Sequence, residues 1–286
     1  MKVVRFFALF ALGAVGAHAG ELPIIAKARA YLGADAALDA VRSLHLVGHI
    51  VIHQPGKPDT PVTFDQVFQK PCEESLTAVF KDRFFRKVLD DYDGWMRVQA
   101  HKPGEPLEFD DRRSPSLTIL DVDEILSLRA DAWENLSFYR GIESVDGSLK
   151  DLGPATVDHV ACDEIEFQHP GGIAFYRYFD RATGRLVFTR TSKGSQIRES
   201  GYRVVSGIRF PAKIILTDRD AAGKEQTTTM FVDRVVVNQD FPESFFAMPL
   251  PPIADSSAPA ESALAPAQPA ASSSPASAVP PASTEP

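Results

Sequence analysis

Three histidines stand at every fourth position of one short segment: His45, His49 and His53. Imidazole is the commonest metal ligand, so the set first suggests a metal site. The segment that carries them argues otherwise. From Leu44 to His53 the apolar residues Leu44, Leu46, Ile50 and Ile52 fall on even positions and the histidines on odd ones. That period of two belongs to a half-buried strand. A strand rises ~3.3 Å per residue, so ligands four apart stand ~13 Å apart and cannot converge on one ion. The histidines therefore belong to a polar outer face. The carboxylates read similarly. Asp90-Asp91-Tyr92-Asp93 lacks the spacing of a calcium loop, which continues through a Gly and ends on a Glu, and reads as a solvated turn. Asp121-Val122-Asp123-Glu124 falls near the start of an expected helix, where acidic residues complement the helix dipole. There is no G-x-S-x-G, no H-E-x-x-H and no phosphate loop. Nothing in the sequence asks for a cofactor or a metal, and catalysis is not expected.

The elements that hold these residues are mostly strands. Pro23 to Ser43 has apolar residues at near-helical spacing, with a break expected at Gly33. Strands are expected at 44–53, 62–70, 74–81, 84–90 and 95–99, then a polar, proline-bearing loop to Pro115. A helical insert near 116–138 follows, with Ser116 or Ser114 as its cap. Its apolar stripe runs from Leu117 through Leu120, Ile125, Leu128 and Trp133 to Phe138. Strands resume at 149–152 and 156–168 and continue as a meander from Ile173 through 185–191, 197–205, 210–218 and 225–237. The expectation is a mainly β, α+β fold: a curved antiparallel sheet of roughly ten strands. The helical insert would cover its open apolar face.

The ends differ from this body. Residues 1–19 read as a signal peptide: Lys2 and Arg5, an apolar run from Phe6 to Val15, then Ala17-His18-Ala19. The next residue is Gly20 rather than a lipidated Cys, so a soluble periplasmic protein is expected, with no transmembrane segment in the mature chain. Residues 251–286 are almost entirely Ala, Pro and Ser and read as a disordered tail. Residues 20–250 would form one domain. The net charge of −8 argues against nucleic acid as a partner. Cys72 and Cys162 each sit in a strand-like segment and read more readily as core thiols than as a bridge.

The aromatic supply is large: 19 Phe, many in the expected strands. A curved sheet must cover such a face or bind with it. In the C-terminal half, Tyr178-Phe179-Asp180-Arg181-Ala182-Thr183-Gly184-Arg185-Leu186, then Gly201 to Pro211, then Asn238 to Pro249 occur in order, and Asp90 to Trp95 supplies a turn before a Trp-bearing strand. Over residues 25–249 this pattern resembles the LolA/LolB-like outer-membrane lipoprotein-sorting superfamily. The resemblance implies an unclosed β-barrel whose concave side, covered by helices, takes up acyl chains. It transfers no specific binding residue, and the helical insert and tail depart from the compact carriers. On that footing the expected cavity lining is Leu46, Ile50, Ile52, Phe64, Phe68, Leu76, Phe80, Met96 and Val98. Leu120, Ile125, Leu128 and Trp133 would form the lid. The expected function is a non-enzymatic binder or carrier of acyl chains of lipids or lipoproteins. The alternatives are an envelope scaffold or stress sensor that binds a protein partner, and a hydrolase, which would need a polar cleft with a perturbed pair of titratable groups.

Overall fold

A computed structural model describes residues 21–109, 116–219 and 223–249. All belong to one compact unit, Met1–Pro249. The expected signal peptide, the tail and Ser114 lie outside the described residues.

Among the described residues, fifteen strands form where the period-two pattern runs. They are β1 (Ser43–His53), β2 (Thr60–Gln69), β3 (Glu73–Val79), β4 (Arg83–Asp90), β5 (Asp93–Ala100), β6 (Ser116–Ile119), β7 (Ser148–Val157), β8 (Val160–His169) and β9 (Ile173–Asp180). The rest are β10 (Leu186–Thr191), β11 (Gln196–Ser200), β12 (Arg203–Val205), β13 (Ile208–Phe210), β14 (Lys213–Arg219) and β15 (Glu225–Val237). Thirteen of them make one antiparallel sheet in the order β6-β5-β4-β3-β2-β1-β15-β14-β11-β10-β9-β8-β7, and β12 pairs with β13 alone. The first and last strands meet in the middle, from Leu44↔Val237 to His53↔Thr227, with a bulge at Val47/Gly48. Gly48 is required there: a Cβ would stand 1.9 Å from the Phe231 carbonyl oxygen. The free edges β6 and β7 do not pair, so the sheet is an unclosed barrel.

Among the described residues, three α-helices accompany it: α1 (Pro23–Leu32), α2 (Asp35–Asp39) and α3 (Val122–Leu136). The expected first helix splits at Gly33, where any side chain would strike the Gly207 carbonyl at 2.8 Å. The insert is shorter than its apolar stripe suggested. Leu117 and Ile119 extend as β6 along β5, pairing Trp95↔Ile119 and Arg97↔Leu117. The cap is neither serine but Asp121, whose carboxylate accepts from the Glu124 amide at 2.8 Å. The expected strand 197–205 also breaks, at Gly201, and Phe210 belongs to the short β12–β13 hairpin rather than to β14. That hairpin turns away from the sheet and buries Ile208 and Phe210 against the helices.

Helix α3 proves the curvature. Its Glu124 reaches Lys87 on β4 at 3.2 Å, while its Glu134 pairs with Arg177 on β9. These carboxylates lie ~15 Å apart along the helix, yet β4 and β9 are eight strand spacings apart, ~38 Å on a flat sheet. The sheet must therefore curl around α3. One stripe of the helix, with Ile125, Leu128, Ala132 and Leu136, joins a core with Leu44, Phe64, Phe68 and Leu89 from the first half. Another, with Ala130 and Trp133, joins Ile165, Phe167, Phe175 and Phe179 from the second. The convex side has a small core of its own, not expected from the single apolar face read in the sequence. Phe246 covers Val67, Val88 and Trp95, its carbonyl accepting from the Trp95 indole at 3.1 Å.

Candidate functional site

The tempting histidines point to no shared ion. His45 contacts Asp65 at 3.0 Å and Gln239 at 2.8 Å, His49 contacts Asp233 at 3.0 Å, and His53 contacts Asp59 at 2.8 Å. Each imidazole has its own carboxylate. His45 is additionally buried beneath Phe241, edge-on at 5.7 Å. Asp91 sits in a turn at positive φ and pairs with Arg129 of α3. Cys72 and Cys162 are free, buried thiols, and burial pushes the Cys72 thiol up to about 11.

A cavity of about 240 Å³ lies between α3 and the middle and second half of the sheet; a second, more open hollow of about 750 Å³ is lined by Leu38, Lys70, Cys72, Arg129, Trp133 and Arg140. The floor of the cavity is apolar: Leu44 and Leu46 from β1, Val232 and Val235 from β15, Ile214 from β14, and Phe210 from the hairpin, with Leu32 of α1 closing one side. The remaining wall mixes the apolar Phe138, Tyr139, Phe175, Ile197 and Pro211 with polar and charged groups. Asp131, Glu134 and Asn135 come from α3, Arg177 from β9, Thr189 from β10, Glu199 from β11 and Arg209 from β13.

This wall is a buried network. Glu134 meets His169 Nε2 at 2.7 Å with one oxygen and the Arg177 guanidinium with the other, all three side chains being buried. Arg177 lies over the Phe167 and Tyr139 rings at 4.8 and 4.9 Å. Beyond it, Tyr202 bonds the Glu199 carboxylate, which burial raises above its ordinary range despite the attraction of Arg177. Asp131 is exposed to solvent on α3, and partial desolvation by the protein around it, together with the neighbouring Glu134 charge, raises its pKa to about 6. Below α3 and outside the cavity, Glu74 is 3 % exposed on the inner face of β3. Burial, and secondarily Asp131, push it up to about 8.

The register places all nine expected lining residues on one face of the first half of the sheet, through Leu46↔Gln66↔Leu76, Ile50↔Val62, Ile52↔Thr60, Gly48↔Phe64↔Ala78, Leu44↔Phe68 and the β4–β5 pairs Lys87↔Met96 and Phe85↔Val98, with Phe80 just past β3. Of these, Leu46 lines the cavity. Phe64 and Phe68 are core, with Ile50 and Leu76 packed against them under Ile125 and Leu128. Ile52, Phe80, Met96 and Val98 are half-buried farther along the strands. Of the lid residues, Leu120 and Ile125 sit on Gly94, where a Cβ would come within 2.9 and 3.0 Å of them. Trp133 packs edge-on to His169 at 5.3 Å. Sequence reasoning missed Arg177, Glu134 and Glu199. The available signal was phase: Arg177 falls at the buried position between Phe175 and Phe179 in a period-two strand.

The C-terminal end of α3 is tied down by Arg29, 1 % exposed, which bonds Asp35 at 2.9 Å, Asp39 at 2.6 Å and the Phe138 carbonyl at 3.0 Å. This links α1 and α2 to the end of α3.

Among the described residues, no helix is long and apolar enough to cross a membrane, and no group of three or more His, Cys, Asp or Glu could hold a metal. No protein-family model matches the chain, and no curated protein matches it. Solved structures do. A LolA superfamily protein from Nitrosomonas europaea is 13% identical with a TM-score of 0.52, over 79% of this chain and 96% of that one. A DUF1329 family protein from Desulfovibrio piger is 12% identical with a TM-score of 0.48, over 78% and 95%. With its unclosed sheet curled around a covering helix, this chain has the LolA-like fold.

Proposed function

We propose that this protein is a non-enzymatic binder or carrier of acyl chains, from lipids or lipoproteins, in the periplasm of a bacterial envelope. The observation that carries the reading is the 240 Å³ cavity with an apolar floor, held between the sheet and α3. Each methylene moved from water onto such a floor contributes about 0.8 kcal/mol, so a chain of eight or ten carbons supplies useful affinity after the entropy of binding is met. The cavity is smaller than the ~300–1,000 Å³ of typical small-molecule sites. It fits one chain, and a multiply acylated anchor would require α3 to lift from the sheet. The signal-like residues 1–19 support an exported protein. The face carrying Ile50, Leu76, Met96 and Val98 would be uncovered by that movement and would extend the lining.

Two measurements test this. Mass spectrometry of protein purified from the envelope should find co-purifying lipid. Calorimetry with straight-chain alcohols from eight to twelve carbons should show affinity rising about three- to fourfold per methylene, and Leu46→Trp, which fills the cavity floor, should weaken it. A protein that carries no lipid and binds none of the alcohols is not an acyl-chain binder.

A further inference from the structure

Pairing from β1 to β5 sets Leu44, Phe68, Glu74, Leu89 and Gly94 in one row across the inner face of the sheet. All five are buried. Helix α3 lays Leu128, Ala132 and Leu136 over the apolar members of that row. Glu74 is the one carboxyl in it. Phe68 and Leu89 flank it, Cys72 and Leu76 precede and follow it on the same face, the sheet lies behind it, and α3 closes the front. Gln66 donates to its Oε1 at 3.0 Å, while Oε2 has no partner among the described residues. The charges that face it do not compensate it. Lys87 of β4 is paired with Glu124 of α3 at 3.2 Å, Arg129 of α3 is paired with Asp91, and Asp131 of α3 repels the ionised form. The Cys72 thiol is neutral. With α3 in place the carboxyl is therefore held as the neutral acid, with an O–H that reaches no acceptor. A carboxyl without water and a donor without an acceptor are both costly, and water reaches this one only where α3 lifts.

We propose that Glu74 is a proton-controlled release for α3: the helix closes over the neutral acid, and lifting it hydrates and ionises the carboxyl, with one proton passing to solvent. Closure is favoured as pH falls and opening as pH rises. Lifting α3 is the movement that the acyl-chain reading requires for a multiply acylated cargo, but the coupling needs no ligand. Its size follows from burial. Loss of water, and secondarily Asp131, raise the closed carboxyl from 4.5 to about 8. Closure has the full contribution of this group below pH 4.5 and loses it as pH rises toward 8. Within that window the opening constant rises about tenfold per pH unit, one proton being released per opening.

Hydrogen exchange of the α3 amides in the full chain, from pH 5.5 to 7.5 and with intrinsic exchange rates divided out, tests this. In the wild type, α3 should open locally, insensitive to low denaturant, with an opening constant that rises about a hundredfold across the range. Glu74→Gln and Glu74→Met should each lose that rise. Asp131 and the Glu134–His169 pair remain in both variants, so any slope they impose is left behind and subtracts out. At pH 7.5 each variant should open roughly a hundredfold less often than the wild type, or less still. Two variants keep the question answerable if one fails to fold. A rise that survives in a folded variant overturns the proposal. So does an α3 that exchanges only with the slowest strands, through complete unfolding. Either result leaves the acyl-chain reading standing, because that reading falls on the absence of bound lipid and alcohol.

Discussion

Replacing Glu74 with glutamine should stabilise the protein at neutral and alkaline pH and leave it almost unchanged in acid. Glu74 lies on the inner face of β3, paired with Phe68 on one neighbour and Leu89 on the other. Its Oε1 accepts from Gln66 at 3.0 Å and its Oε2 has no partner. Desolvation, with a smaller contribution from Asp131 and a weak opposing one from Lys87, moves its pKa from 4.5 to about 8. Folding therefore takes up a proton at this site. Stability from this group is complete below the unfolded value of 4.5. It falls by about 1.4 kcal/mol per pH unit as pH rises toward 8, where the folded carboxyl ionises. At pH 7 the accumulated loss is about 3 kcal/mol. Glutamine keeps the acceptor for Gln66 and leaves the second atom unpartnered, as the protonated acid does, but takes up no proton. Denaturant unfolding of both proteins from pH 5 to 9, followed by tryptophan fluorescence, isolates the effect. Asp131 and Glu199 also have raised values and contribute a slope of the same sign, but they are common to both proteins and cancel in the difference. The two stability curves should come within about 1 kcal/mol of each other near pH 5 and separate by about 4 kcal/mol at pH 8. Curves that run parallel across the whole range would refute the burial argument.

Two further substitutions or modifications probe the site and the core. Arg177→Met leaves the buried Glu134 with only His169 as a partner and should cost about 3–5 kcal/mol; adding Glu134→Gln should recover part of that loss, and strictly additive effects in the unfolding cycle would deny the coupling. Cys72 and Cys162 should resist an aromatic disulfide reagent at pH 8 in the native state, because both are buried with raised pKa values, and both should react in denaturant; fast native reaction would contradict their burial, and no thiols in denaturant would mean they are bridged.

Much of the fold was legible because a period of two survives tertiary context. The alternation Leu44, Leu46, Ile50 and the turn Asp180 to Gly184 hold in the structure, where the Asp180 carboxylate accepts from the Ala182 amide at 2.8 Å. The helical insert was misjudged at its start because Leu117 and Leu120 fit a helical stripe as well as a strand end. The available partner strand β5, not local propensity, decides it. The convex core stayed hidden because Trp95 and Val88 occupy outward positions that only the returning segment of Phe241 to Phe246 buries, some 150 residues later. The expected lining and the 240 Å³ cavity share Leu46. Apolar alternation in β1–β5 marks residues such as Phe64, Phe68 and Leu76 that pack with Ile125 and Leu128 of α3. The cavity is also lined where charged residues interrupt the inward phase, at Arg177, Glu199 and, on the helix, Asp131 and Glu134.

The meeting of β1 with β15 at the centre of the sheet also dictates an order of events. These strands are partners across roughly 190 residues of chain, whereas β1 to β6 and β7 to β11 pair mostly with their sequence neighbours. Joining such distant segments costs about 4–5 kcal/mol of loop entropy before any contact repays it. Two local meanders can thus form early, and the middle seam must close late, as the last strand arrives. Until it does, β1 offers an unpaired edge near the start of the chain. A chain that emerges from a membrane pore N-terminus first would expose that edge for nearly its whole passage, so the slow step of folding is also the interval of greatest exposure to chaperones, proteases and other strands.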